Sequence, residues 1–476
     1  MMNKKRLLTM AVSAALAAPM SAFATNGMNL EGYGPEATAM GGASMAYDNG
    51  AAAMMNNPAT LSLMADGESR LDIALGELRP SVKTSTLQNG GMSAKSGGDS
   101  YMMPAAGWVK RSGQISYGVG VFSQGGMGTE YSRNSFMGVG TGQDARSELG
   151  VGRLMFPVSF KVNDQFTVGG SVDYVWGGLD MKMVMPAGDT TCASGAQPDT
   201  FADFLCPSMA SGHILGEADI SGFGTGGLGD QMAGALGAGY DTIGINFSDS
   251  NDFTQEADGA GFAGKIGMTF RANDQLSFGA TYHLKTAMSD WKGSAAMVFY
   301  DTDGAMPDNA MDGKIAVKNF QWPATIAAGM AFTPNDRLLL VTDVKILQWS
   351  DVMSDFTMVF TPDGMPGEEA EFKIYQDWKD QTVFSLGGAY KVNNQFTVRA
   401  GANLSNNPVP DKYVHPLFPA IIKNHYTAGF GYAFSDASAV NFSVAHAPKV
   451  TVTNSNTQTK ISHAQTNWQM MYSHRF

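Results

Sequence analysis

Residues 162–176 read VNDQFTVGGSVDYVW, and this stretch decides the fold. Asn163 and Asp164 tolerate the positive φ angles that tight turns demand, so they predict a turn. Apolar and polar residues then alternate, which is the period of a β-strand with two different faces. One face carries Phe166, Val168, Gly170, Val172, Tyr174 and Trp176, and the other carries Thr167, Gly169, Ser171 and Asp173. The stretch therefore predicts a short hairpin turn that leads into a two-faced strand.

The same turn recurs along the chain, each time between two alternating runs. Clear copies lie at 272–278, 334–338 and 392–398, and looser ones at 434–437 and 110–114. Six tight turns imply twelve strands. A strand near 68–79 precedes them and a C-terminal strand follows, so the pattern predicts fourteen strands in all.

The length of the runs and the asymmetry of the connections favour a membrane barrel. The runs last roughly ten residues, the length of a tilted membrane strand. Connections on one side are tight, whereas those on the other are long, at about 178–258 and 288–313. A soluble β-sandwich or repeat array would explain the alternation but not this asymmetry. We therefore expect an all-β protein, in which residues 67–476 form a fourteen-stranded antiparallel transmembrane β-barrel.

The first 24 residues resemble a secretory signal peptide. Lys4, Lys5 and Arg6 precede a short apolar run, and Ala22-Phe23-Ala24 forms an A-x-A cleavage site. A transmembrane helix is the alternative, but the run is shorter than the roughly 20 residues that a span needs. We expect export, with residues 1–24 removed.

The C-terminal residues alternate as well, from Trp468 to Phe476. A final strand that ends on Phe476 resembles the signal read by the barrel-assembly machinery of bacterial outer membranes, although His474 departs from the usual hydrophobic residue. The alternative is an ordinary terminal strand of a soluble β protein. The expected location is the bacterial outer membrane, where lipid and lipopolysaccharide surround the barrel.

The net charge and the cysteine content argue against some classes of binding partner and against a metal site. The net charge of −12 argues against nucleic-acid binding, which needs a basic surface. Cys192 and Cys206 lie close together in the chain, and in an oxidising compartment they are expected to form a disulfide. The alternative, a metal site, would need more ligands than the nearby His213. We therefore expect no metal, no cofactor and no catalytic residues.

Residues 25–66 do not have the pattern of strands. The segment is rich in glycine and alanine, and Asn56-Asn57-Pro58 breaks any helix because a residue before proline avoids helical angles. A barrel of fourteen strands is too wide for its own side chains to fill. We therefore expect residues 25–66 to form a hatch of short helices inside the lumen.

Several motifs resemble the FadL family of outer-membrane long-chain fatty acid transporters. The hatch run 34–43 and the triplet Asn57-Pro58-Ala59 are similar to that family's hatch. Further similar motifs follow in order at 126–131, 349–350, 407–411 and 418–420. The resemblance implies uptake of hydrophobic molecules, most plausibly long-chain fatty acids; relatives in the family admit aromatic hydrocarbons.

The resemblance also implies a route. A ligand would dock among the outer loops, enter an apolar pocket, and be released when the hatch N-terminus moves, at Thr25, Asn26 and Gly27. It would leave sideways at strand three, where Gly125, Gly126 and Gly128 permit a bulge or inward kink. The simpler alternative is that these glycines only end the strand.

The position of a fatty acid head group is left open. Alternation places Lys285, Lys345 and Arg399 on the lumen side, where they could bind a carboxylate. The alternative is that they belong to a salt-bridged network that fills the lumen. Aromatic hydrocarbons and other neutral lipids therefore remain possible substrates.

Three other functions compete with transport of hydrophobic molecules. A lipase would need a nucleophile beside a positioned histidine, and the seven histidines are scattered. A structural or adhesive barrel would need no hatch, and a general porin would not have a plugged lumen. Because one chain closes its own barrel, we expect a monomer.

Overall fold

The computed structural model describes residues 26–86, 91–186, 218–221, 227–251 and 254–476. Within these residues almost all regular structure is β-strand, and the helices are short. None of the helices in these ranges combines the length and the apolar character that a membrane span requires.

The strands follow one another in chain order, and several are interrupted by a short break. We number them by their residues, joining the segments of an interrupted strand. They are β1 (Ser69–Leu78 and Pro80–Thr86), β2 (Ser93–Lys95 and Tyr101–Ser112), β3 (Ile115–Tyr131), β4 (Ala145–Lys161), β5 (Phe166–Pro186), β6 (Ala218–Ser221), β7 (Thr242–Phe247), β8 (Ala257–Arg271), β9 (Leu276–His283, Ala287–Met288 and Trp291–Tyr300), β10 (Asn309–Lys318 and Thr325–Asn335), β11 (Leu338–Leu347 and Asp355–Pro362), β12 (Ala370–Tyr375 and Gln381–Lys391), β13 (Phe396–Ser405), β14 (Asn424–Ala433), β15 (Ser438–Thr453) and β16 (Thr459–Arg475).

These strands form one antiparallel sheet that closes on itself. Neighbours in sequence pair from β1 to β5, then β5 pairs with β8, and neighbours pair again from β8 to β16. The last strand returns to the first, with Arg475 opposite Arg70 and Trp468 opposite Glu77. Closure leaves no open edge. A sheet in lipid must have none, because unpaired backbone groups at an edge would find no water to bond with.

The expected count of fourteen strands is wrong, because the described residues form a barrel of 16 strands. The two additional strands come from the stretch 178–258, which the sequence pattern assigned to an outer loop. β7 lies between β5 and β9, and β6 pairs with β12. These strands span only four and six residues, so neither shows the alternating run of roughly ten residues on which the count was based.

The outer face of the barrel is apolar, as contact with lipid requires. Large hydrophobic side chains are exposed in neighbouring strands, and Phe262 and Ile266 of β8 are 61% and 60% exposed. Their chain neighbours Ala263 and Lys265 face inward, and Lys265 is buried. The alternation seen in the sequence thus separates a lipid-facing surface from a lumen.

The repeated turns share one geometry. In each of four turns an asparagine side chain accepts hydrogen bonds from the backbone N–H groups two and three residues further on, at 2.8–3.1 Å. These asparagines are Asn163, Asn273, Asn335 and Asn393. The Asx turn explains why asparagine recurs at this place. We call this end of the barrel the turn end and the opposite end the loop end.

The N-terminal segment lies inside the barrel as short helical pieces. They are helix α1 (Pro35–Ala39) and the 3₁₀ helices Gly50–Met54 and Pro58–Leu63. Almost every residue from 26 to 64 is buried. We call residues 26–66 the hatch.

Glycines of the wall let the hatch backbone touch the barrel backbone. A Cβ on Gly279 would lie 1.8 Å from the carbonyl oxygen of Met45, and one on Gly387 would lie 2.5 Å from Cα of Met40. Similar conflicts arise at Gly169, Gly267, Gly401 and Gly429. These wall glycines therefore seat the hatch rather than form turns.

Substitution of Gly387 by alanine is expected to loosen the hatch. The added methyl group would overlap Met40, and overpacking of this kind costs typically about 1–3 kcal/mol. The heat-induced shift in gel mobility of the folded barrel should then occur at a lower temperature. Gly388→Ala is the matched control, because its Cβ points outward and lies 3.1 Å from a mobile end of Leu340. Equal effects of the two substitutions would contradict the seating role.

Candidate functional site

Strand β3 leaves its neighbour β2 part of the way along the barrel wall. The two strands pair from Ser112/Ile115 to Ala105/Phe122 and no further. Their backbones are bonded again at the loop end, where the Gly97 N–H donates to the Glu130 carbonyl at 2.7 Å. Among the described residues, no strand pairing joins 98–104 to 123–129. We call this interruption the wall gap.

The bend in β3 begins at a bulge. The register of β3 against β4 shifts between Ser123 and Gly125, and the strand then continues to Tyr131. The strand therefore does not end at Gly125, Gly126 and Gly128, although the sequence allowed that alternative. Residues 120–129 are all buried, so this part of β3 lies inside the wall rather than in contact with lipid.

The tip of the hatch takes the place of β2 along the bent part of β3. Residues Asn26 and Asn29 form a tight turn, and Asn29 pairs with Gly125. The Gly126 N–H donates to the Met28 carbonyl at 3.0 Å. A Cβ on Gly125 would lie 2.1 Å from that carbonyl oxygen, so the close approach requires glycine. The gap in the strand ladder is thus filled on the lumen side by hatch backbone.

The Asn29 side chain holds the tip in place. Its Oδ1 accepts hydrogen bonds from the Tyr33 hydroxyl at 2.8 Å, from Trp322 Nε1 at 3.2 Å and from Gln124 Nε2 at 3.3 Å. Tyr33 also contacts the Gln124 carbonyl, at 2.7 Å. One side chain therefore ties the hatch, the bent strand and a wall tryptophan together. Asn26 and Gly27 belong to this turn, whereas Thr25 lies outside the described residues.

A cavity lies between the hatch and the wall beside the gap. Leu30 and Tyr33 of the hatch line one side, and Ala74, Pro104 and Ser123 line the other. Pro104 and Ser123 stand where the pairing of β2 and β3 has just ended. The cavity therefore reaches from the interior to the margin of the wall gap.

A large cluster of buried apolar side chains, which we call the apolar chamber, packs in the loop-end half of the lumen. Four buried tryptophans belong to it, and the rings of Trp349 and Trp378 lie 5.2 Å apart. The rings of Trp322 and Trp349 lie 5.7 Å apart. Other members are Trp291, Phe299, Phe320, Phe356, Phe360, Met181, Met183, Met297 and Met358. A Cβ on Gly27 would touch Trp349, so the hatch tip borders this chamber.

The segment 406–423 crosses the lumen from β13 and β14 toward β3 and β4. The Thr129 and Tyr131 hydroxyls donate to the Pro416 carbonyl at 3.2 and 3.0 Å. The Ser147 hydroxyl donates to the Leu417 carbonyl at 2.5 Å. We call residues 406–423 the crossing segment. It covers the chamber and is bonded to the bent strand.

A buried charged cluster lies beside the hatch tip. Asp173 bonds to Arg153 at 2.9 Å and to Lys265 at 2.7 Å, and all three side chains are at most 2% exposed. Arg153 also donates to the Gln124 side chain. Such a cluster persists only when its charges pair, because unpaired burial of charge is very costly. The cluster fixes Gln124 and so the position of the bent strand.

The three predicted head-group residues do not form a common site. Lys285 is exposed, because β9 breaks after His283 and the alternation is lost there. Lys345 Nζ donates to the Gly42 carbonyl at 2.7 Å, and Arg399 pairs with Glu36 at 2.7 Å. Lys345 and Arg399 therefore bind the hatch, as the alternative of a filled lumen network supposed.

The triplet Asn57-Pro58-Ala59 anchors the hatch at the turn end. Asn57 Oδ1 accepts from the Ala59 N–H at 3.1 Å, and Nδ2 donates to the carbonyls of Met45 and Met268 at 2.8 and 3.1 Å. Proline follows as the first residue of the 3₁₀ helix. The asparagine thus caps a hatch helix and joins it to the wall.

Two predicted disulfide residues lie outside the described part of the chain, and the sequence pattern did not predict several residues that build the site. Cys192 and Cys206 lie outside the described residues, so their disulfide stays a prediction. Arg153 and Lys265 were missed, although charged residues at alternate positions of a membrane strand signal a lumen network. The tryptophan cluster had no such signal, because its members come from separate breaks and strand ends.

Comparison with known proteins agrees with this architecture. The profile described as "Outer membrane protein transport protein (OMPP1/FadL/TodX)" matches residues 11–474. A crystal structure of the Pseudomonas putida toluene transporter TodX is 30% identical, with a TM-score of 0.78 over 94% of this chain and 99% of that chain. The Ralstonia pickettii toluene transporter TbuX is 27% identical, with a TM-score of 0.72 over 94% and 99%.

Two further similar proteins have either a lower sequence identity or a shorter matched region. A Pseudomonas aeruginosa FadL homologue shares the fold, at 15% identity and a TM-score of 0.65 over 94% of this chain and 98% of that chain. An uncharacterised Chlorobium limicola protein from the phosphoenolpyruvate carboxykinase gene 5′ region is 52% identical over 75 residues. That match covers 16% of this chain and 36% of that protein. This chain belongs to the family of outer-membrane transport proteins that includes FadL and TodX, and its place is the bacterial outer membrane.

Proposed function

We propose that this protein admits small neutral hydrophobic molecules, with monoaromatic hydrocarbons ahead of long-chain fatty acids, through the outer membrane. The observation that carries the proposal is the cluster of buried aromatic and other apolar side chains beside a gap in the barrel wall. Burial of apolar surface favours such ligands by about 0.8 kcal/mol for each methylene-sized group. The similar transporters TodX and TbuX are described as toluene transporters, which supports the same substrate class here.

The pairing of the basic residues supports a neutral ligand over a carboxylate. Among the described residues, four arginine and lysine side chains are buried, and each is in an ion pair. They are Arg70, Arg146, Arg153 and Lys265. Lys345 and Arg399 are bound to the hatch. At the four ion-paired residues and at Arg399, a fatty acid head group would have to displace a partner carboxylate, whereas an aromatic hydrocarbon would not.

The route we propose runs sideways. A ligand in the chamber would lie on the loop-end side of the hatch tip. The tip separates the chamber from the cavity at Ala74 and Pro104. Movement of the tip would open the way to that cavity and then to the wall gap. Release into lipid suits an apolar solute, because no aqueous step intervenes.

Uptake by cells that lack their own transporters of this family tests the substrate class. Expression of the protein should raise uptake of radiolabelled toluene more than uptake of radiolabelled oleate, since the chamber offers the carboxylate no unpaired cation. Folding would be checked by heat-modifiable gel mobility. A rise for oleate alone, from a folded barrel, would reject the preference for neutral aromatics.

Filling the cavity at the wall gap tests the route. Ala74→Trp places a large ring among the cavity-lining residues, and toluene uptake should fall to the level of cells without the protein. Ile73→Trp is the matched control, because Ile73 is the next residue on the strand and is 40% exposed on the lipid side. Unchanged uptake in a folded Ala74→Trp protein would argue for a different exit.

A further inference from the structure

Buried polar groups without protein partners line one side of the lumen, away from the charged cluster. They belong to strands β12, β13, β14 and β16, and each residue is at most 2% exposed. They are Gln381, Asn403, His425, His463 and Gln465, which we call the polar belt. A buried group left unbonded destabilises a protein, so a concentration of them indicates a ligand or bound water.

The members of the belt are close neighbours. Asn403 of β13 stands directly opposite His425 of β14. Gln381 of β12 donates to Ser405 of β13 at 3.2 Å. Gln465 and His463 are alternate residues of β16, so both face inward.

The amide groups of the belt present their oxygen atoms. Each amide nitrogen already donates to a protein oxygen, at 2.9 Å for Gln381, 3.1 Å for Asn403 and 2.8 Å for Gln465. These bonds fix the orientation of the amides. The oxygen atoms Gln381 Oε1, Asn403 Oδ1 and Gln465 Oε1 accept no hydrogen bond from the protein. Three amides therefore offer acceptors that lack donors.

The histidines add one more acceptor and some donor capacity. His463 Nδ1 lies 2.8 Å from the Pro419 carbonyl, so Nδ1 carries the proton and Nε2 is an unpaired acceptor. His425 has no partner at either nitrogen. His415 of the crossing segment accepts from the Leu417 N–H at Nδ1, which leaves its Nε2–H unpaired. Burial lowers the pKa of His415 to about 3, so this ring is uncharged at neutral pH.

The belt lies between the hatch and the crossing segment and borders the apolar chamber. Asn403 bonds to Gly41 of the hatch, and His463 bonds to Pro419 of the crossing segment. The rings of His415 and Phe418 are 5.9 Å apart, and Phe418 lies 5.8 Å from Phe356 of the chamber. A molecule with a ring in the chamber could therefore place a polar substituent in the belt.

The chemistry of the belt selects the substituent. Most of the unpaired groups are acceptors, so the ligand must supply a hydrogen-bond donor. The oxygens of a carboxylate are acceptors as well, so these groups would repel them. A hydroxyl group both donates and accepts, which matches the amide oxygens and the unpaired donor of His415.

We propose that the polar belt binds the hydroxyl group of hydroxylated apolar molecules, such as aromatic alcohols and phenols, while their rings occupy the chamber. This inference rests on the proposed function, since it gives a finer substrate class to the same chamber.

Binding to the purified full-length protein in detergent tests this inference. Titration calorimetry would use ethylbenzene and 2-phenylethanol, which differ by one hydroxyl group. His425→Leu removes unpaired groups without breaking a protein hydrogen bond. Gln465→Met removes one unpaired acceptor at similar volume, together with the hydrogen bond to Asn467. His446→Leu is the control, because His446 lies on the same wall but is exposed on the outer face.

The expected result concerns the ratio of the two affinities. One hydrogen bond corresponds to a change of about three- to tenfold, so His425→Leu and Gln465→Met should each weaken binding of 2-phenylethanol relative to ethylbenzene by that factor. His446→Leu should leave the ratio unchanged. An unchanged ratio in both belt variants would overturn the inference and leave the belt as a bound-water site. Failure of both compounds to bind the wild-type protein would overturn the proposed function as well.

Discussion

A membrane strand must bond its backbone groups within the protein, and this constraint organises the whole interior. Strand β3 loses β2 as its partner beyond Phe122. The hatch tip supplies the replacement, through the Gly126–Met28 hydrogen bond and the Asn29–Gly125 pairing. The barrel can therefore carry a gap in its wall only because a segment from inside the lumen completes the ladder. The same backbone contacts therefore close the wall and hold the hatch in position.

The remaining features follow from this arrangement. The hatch must be held firmly, and wall glycines such as Gly387 and the bonds from Lys345 and Arg399 to hatch residues do so. The same bonds occupy the cations that could otherwise attract a carboxylate. The apolar chamber and the cavity then lie on opposite sides of the hatch tip, so a small displacement of one turn would connect them.

The sequence predicted local structure well and long-range partners poorly. The Asn163, Asn273 and Asn393 turns were visible because each depends on three or four adjacent residues. The strand count failed because β6 and β7 are only four and six residues long, too short for an alternating run to mark them. Alternation placed Lys345 and Arg399 in the lumen, but no local pattern shows that their partners are Gly42 and Glu36, some three hundred residues away. The tryptophan chamber likewise depends on contacts between distant breaks in the strands.

Mapping the path of a ligand tests the account most directly. Cells that express the protein would be given a photoreactive neutral arene during uptake, and labelled peptides would be identified by mass spectrometry. Labelling at residues 101–104 and 123–127, beside the wall gap, is the predicted result. Labelling concentrated at the turn-end cavity lined by Glu36, Asp336 and Lys391, with none at the gap, would contradict sideways release.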